Sequence, residues 1–83
     1  MAEHEGLPVS GYRPQSEENV ALVNNFKQTE ERLLRTLDEL AKEGETIDKR
    51  WLAIGRTGIE QAFMAINRAV FQPGRVKLPE DTE

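Results

Sequence analysis

Four side chains in this 83-residue chain pair a useful chemistry with a defined place: Tyr12, Lys27, Thr29 and Arg68. Tyr12 stands in the run Gly11-Tyr12-Arg13-Pro14. Pro14 pushes Arg13 into an extended conformation and Gly11 accepts whatever angle the turn requires, so an aromatic ring is held at an elbow just ahead of a helix. Lys27 interrupts an apolar row, Val20, Leu34 and Ala41, and so sets a cation among apolar neighbours. Thr29 adds a hydroxyl two residues on, and Arg68 places a guanidinium near the end of a second helix. A flat ring, two cations and a hydroxyl make a set for binding rather than for bond-breaking. Plainer roles fit the same spacing: Lys27 can extend its stem out of the row into water, and Arg68 can serve the negative end of its helix dipole.

The inventory for catalysis is nearly empty. Cysteine is absent, which removes disulfides, thiolate nucleophiles and thiolate metal sites and fits a cytosolic protein. His4 is the one histidine and sits in a polar N-terminal stretch. There is no glycine-rich phosphate loop and no carboxylate cluster spaced for a metal, while Glu30, Glu31 and Glu60 read as solvated helix glutamates. The expectation is a protein that is not an enzyme and needs no cofactor or metal. Residues 1–10 lack an apolar run, and residues 48–72 carry six charges, so neither a signal peptide nor a membrane span is expected. A net charge of −4 argues against DNA or RNA as a partner, because that binding rests on many phosphate contacts. Its distribution says more. Residues 1–47 hold five basic and ten acidic side chains, residues 48–78 six basic and two acidic, and the last five residues three acidic. A locally positive second helix suits a small anion.

The elements that must position these residues follow from period and stop signals. Residues 48–72 predict one long helix, capped by Asp48 and ended by Pro73. Leu52, Ile59, Ala62, Ile66 and Ala69 recur at three- and four-residue steps with Gly55 in the vacant place, so they predict the inward seam. Trp51, Ile54, Phe63, Met64, Val70 and Phe71 fall outside it, more apolar surface than one neighbouring helix covers. A first helix is predicted over residues 17–43, with Ser16 as cap, Glu17 and Glu18 in its first turn and Gly44 past its end. Its seam is Val23, Phe26, Leu33, Leu37 and Leu40, interrupted at Glu30. Residues 45–47 are too few for anything but an antiparallel return. The fold class is therefore all-α: an antiparallel two-helix hairpin over residues 11–73, a flexible arm over 1–10 and a tail over 74–83 with a frayed acidic end. Exposed Trp51, Phe63, Met64, Val20 and Leu34 predict self-association, and Gly55, Gly58, Ala62 and Ala65 form a small-residue strip that allows close helix contact.

At this level of detail a family likeness emerges. GYRP, the VNNFK segment, and RWLAIGRTGIEQAFMAINRAVFQP together resemble the hairpin domain of the bacteriophage anti-CBASS cyclic-nucleotide sponges, a domain shared with the anti-Thoeris sponges, over residues 11–73. Arg50-Trp51, Arg56-Thr57, Phe63-Met64-Ala65 and Asn67-Arg68-Ala69 occur in the family's order and spacing. Gly55 and Gly58 depart from it, standing where other members are bulkier, and Ala62 stands where a glycine is common. The resemblance implies a homo-hexamer in the cytoplasm of the infected bacterial host. It would capture cyclic dinucleotides, such as 3',3'-cyclic GMP-AMP, between two protomers and cyclic trinucleotides in a separate pocket where three protomers meet. It assigns Tyr12, Lys27 and Thr29 to the dinucleotide and Arg68 to the trinucleotide.

Elementary symmetry is compatible with that assignment. A cyclic dinucleotide has two bases and two phosphates, and a two-fold interface presents each side chain twice, so one tyrosine and one lysine per chain suffice. Three Arg68 guanidiniums on a three-fold axis would need a trianion to relieve their repulsion. Two other readings start from the same sequence: a helical-hairpin oligomer that binds another protein through its apolar face, and a hydrolase of the messenger, for which no base or metal site is offered.

Overall fold

Ser16 and Asp48 set the starts of two long helices in the computed structural model, which describes residues 9–81. The arm is thus seen only at its end, and His4 lies outside the described residues. Ser16 is extended and its hydroxyl accepts from the Asn19 N–H at 3.0 Å, opening α1 over Glu17–Ala41. The Asp48 carboxylate accepts from the Trp51 N–H at 3.0 Å, opening α2 over Lys49–Phe71. Both side chains satisfy donors that a helix start leaves without a partner. α1 ends two residues before the predicted residue 43. Gly44 does take the left-handed angle expected of it, φ +71°, and leads a 3-10 turn over Gly44–Thr46 that returns the chain. α2 ends at Gln72, which adopts φ 48° ahead of Pro73.

The helices pack as an antiparallel hairpin, and the described residues contain no strand. Val23 is the one buried hydrophobic residue among them, at 3 % exposure. Around it Phe26, Leu34 and Leu37 of α1 face Leu52, Ile59, Phe63, Val70 and Phe71 of α2, all half-buried. The Phe26 and Phe63 rings meet edge to face with centroids 6.4 Å apart.

This seam differs from the predicted one by about one residue on α2. Ala62, Ile66, Ala69 and Gly55 are exposed, whereas Phe63, Val70 and Phe71 turn toward α1. Leu34 is likewise half-buried, while Leu33 and Leu40 are exposed at the margin. Area decides the rotation. Turning two phenylalanines and a valine inward removes more apolar surface from water than turning two alanines and an isoleucine inward, and the free energy scales with that area. Counting apolar positions equally missed the difference. Two polar residues enter the seam as a result, Arg56 and Asn67. Arg56 crosses to α1, pairing with Asp38 and reaching the Leu34 carbonyl at 3.5 Å. The small-residue strip faces solvent, and a Cβ added at Gly55 or Gly58 would meet nothing within 4 Å.

Among the described tail residues a turn closes in which the Leu78 N–H donates to the Asp81 carboxylate at 2.8 Å and the Asp81 N–H donates to the Leu78 carbonyl at 3.0 Å.

Candidate functional site

Antiparallel pairing brings the start of α1 and the end of α2 together at the open end of the hairpin, and the elbow docks there through backbone chemistry. The last carbonyls of a helix lack partners within it. Gln15 Nε2 donates to the Phe71 carbonyl at 2.8 Å, and Asn19 Nδ2 approaches the Val70 carbonyl at 3.5 Å. Gln15 also donates to Arg13 O at 2.8 Å and accepts from Asn19 Nδ2 at 3.3 Å, so the two amides act as a unit. The Gly74 N–H donates to the Gly11 carbonyl at 2.7 Å. Tyr12 rides on this elbow, 58 % exposed, with its N–H donating to Val9 O at 2.9 Å.

Beside the elbow a groove of about 540 Å³ runs along both helices, with Lys27, Arg68, Asn67, Met64, Glu30 and Glu60 among its lining residues. The pocket size falls within the range usual for small-molecule sites. Lys27 and Arg68 therefore face one groove within a single chain, and among the described residues neither forms an ion pair. Glu60 precedes Arg68 by eight residues, or ~12 Å along α2, and Glu30 lies one turn beyond Lys27. The cations thus hold the open end and the carboxylates the end toward the hairpin tip. The Asn67 Oδ1 is buried in the wall with no protein donor, an arrangement that carries a desolvation cost.

Tyr12 lines a separate hollow of about 120 Å³ with Arg13, Gln15, Phe71 and Pro73, the last two shared with the groove. Thr29 lines neither, and its hydroxyl donates to the Asn25 carbonyl at 3.1 Å, the back-bond usual for threonine within a helix. Lys27 is exposed in the single chain, so the predicted apolar surround does not desolvate it there. Spacing singled out Tyr12, Lys27, Thr29 and Arg68 but passed over Met64, Asn67 and Phe71. Asn67 had a legible signal, being a polar residue four after Phe63 and three before Val70, on the face those two bury. Among the described residues no group of histidine, cysteine, aspartate or glutamate is arranged to hold a metal ion. No helix of the described residues is long and apolar enough to cross a membrane.

Fold and site together define a helical hairpin whose groove carries two cations at its open end and two carboxylates toward the tip, beside an aromatic elbow. The Acb2/Tad1 hairpin domain matches residues 7–71, and the chain belongs to that family, the anti-CBASS and anti-Thoeris sponges, which bind rather than catalyse. No curated protein matches the chain.

Proposed function

We propose that this protein is a non-catalytic sponge for cyclic oligonucleotide second messengers that blocks bacterial CBASS immunity from the cytoplasm of the infected host. The observation that carries the reading is the family match over residues 7–71. The groove supports it at its open end, where Lys27 and Arg68 face a space of small-molecule size and neither forms an ion pair among the described residues, with Glu30 and Glu60 lining the end toward the tip. The working form is a homo-hexamer. Two protomers enclose a cyclic dinucleotide such as 3',3'-cyclic GMP-AMP, with Tyr12 stacking on a base and Lys27 and Thr29 holding the phosphate side. Arg68, gathered around a three-fold axis, takes a cyclic trinucleotide.

Stacking on each tyrosine contributes ~1 to 3 kcal/mol by analogy with single-stranded nucleic-acid binding. Burial between protomers would strengthen the Lys27–phosphate attraction beyond that of an exposed lysine, because the effective dielectric falls. The test is recovery. Protein mixed with 3',3'-cyclic GMP-AMP is freed of unbound ligand, denatured and its supernatant chromatographed. Intact cyclic dinucleotide in the supernatant is the expected result. Linear product would identify a hydrolase, and no retained ligand, for either a cyclic dinucleotide or a cyclic trinucleotide, would refute the sponge.

A further inference from the structure

The elbow is joined to the end of α2 by contacts from three parts of the chain. Gln15 caps the Phe71 carbonyl, Asn19 supports Gln15, and the Gly74 N–H, beyond the family-matched residues, closes on the Gly11 carbonyl. The approach at Gly11 is tight. Its φ is +86°, and a Cβ there would lie 2.6 Å from the Gly74 carbonyl oxygen. From the other side there is room, because a Cβ on Gly74 would sit 3.8 Å from the Gly11 carbonyl oxygen, an ordinary contact.

We infer that Gly11, Gln15 and the backbone of Gly74 form a clasp that positions Tyr12, so that residues touching no ligand themselves set its affinity for a cyclic dinucleotide. An exposed aromatic on an untethered arm would lose conformational freedom each time it stacked on a base. A clasped one has given up that freedom on folding, and its ring meets the ligand with the cost already met. The affinity half of this inference rests on the function proposed above, whereas the tethering half does not.

The asymmetry at the glycines makes the clasp testable. Tyr12 is the chain's one tyrosine, so fluorotyrosine labelling yields a single fluorine resonance that reports on the elbow alone. Gly11→Ala should move that resonance toward the value of a free peptide and weaken binding of 3',3'-cyclic GMP-AMP by ~10-fold, with helix content by circular dichroism unchanged. Gly74→Ala should alter neither. Gln15→Glu keeps the side-chain shape but removes its donor and sets a negative charge at the carbonyl end of α2. It should behave like Gly11→Ala, whereas a packing role alone would tolerate it. Binding of a cyclic trinucleotide should survive every variant.

A resonance that stays in place in both Gly11→Ala and Gln15→Glu would overturn the clasp. So would a moved resonance with unchanged dinucleotide affinity, since Tyr12 would then need no positioning. Wild-type protein that binds neither ligand would refute the sponge instead, and the resonance would still decide whether the clasp tethers Tyr12.

Discussion

Lys27 and Arg68 share a groove in one chain yet are proposed to serve different ligands, so the separation must come from how protomers surround each axis. Lys27→Ala should weaken cyclic dinucleotide binding by at least ~10-fold, about 1.4 kcal/mol, and spare cyclic trinucleotides, while Arg68→Ala should do the reverse. Calorimetric titration of one ligand into protein saturated with the other checks the pair of outcomes, because mutual exclusion would mean a single shared pocket. Glu30 and Glu60 line the same groove. Each opposes an anion there, so Glu60→Gln should raise affinity for at least one of the two ligands by ~2- to 5-fold, a screened interaction below 1 kcal/mol. Residue-level legibility was uneven for a physical reason. Tyr12, Lys27 and Arg68 announce themselves because each breaks a local pattern, whereas Met64 and Phe71 look like core in any pattern and become groove walls only once the two helices are placed.

At the scale of the elements, both helix starts and the stop at Pro73 were read correctly, the end of α1 falls two residues earlier than predicted, and the rotation of α2 was not read. Ser16, Asp48, Gly44 and Pro73 act through local backbone chemistry, which the sequence carries in full. Rotation about a helix axis depends instead on which face removes more area from water, and Phe63 outweighs Ala62. The observed seam therefore makes a prediction that the predicted one, with Phe63 outside it, did not contain. Phe63→Ala should destabilise the hairpin by ~2 kcal/mol, less than the 3 to 5 kcal/mol of a fully buried phenylalanine because the ring is only half-buried. Arg56→Ala should cost under ~1 kcal/mol, since its partner Asp38 is 60 % exposed and water screens the pair. Thermal melts at one fixed protein concentration rank the two, and an Arg56 loss larger than the Phe63 loss would show that the ion pair, not the aromatic contact, joins the helices.

The whole molecule is the scale at which a single hairpin is least sufficient. Val23 is the one buried hydrophobic residue among those described, while Trp51 is 62 % and Met64 66 % exposed on α2. A two-helix chain of this size cannot cover its own apolar surface, and small chains without disulfides or metals commonly gain stability by oligomerising. The outward strip of Gly55, Gly58, Ala62 and Ala65 leaves backbone accessible between these large side chains, so a second helix can approach closely there. If the proposed hexamer forms, light scattering should return about 56 kDa, six copies of the 9.4 kDa chain. A 9.4 kDa species at micromolar concentration would remove the pockets between protomers and the proposed function with them. Trp51→Glu tests whether the exposed face holds the assembly. Placing a charge in an apolar contact costs several kcal/mol unless it finds a partner, so this variant should fall to smaller species and lose both ligands together, although Trp51 lines neither the groove nor the Tyr12 hollow. Loss of binding with the assembly mass unchanged would instead put Trp51 at a ligand. An unchanged mass with full binding would show that another face joins the protomers.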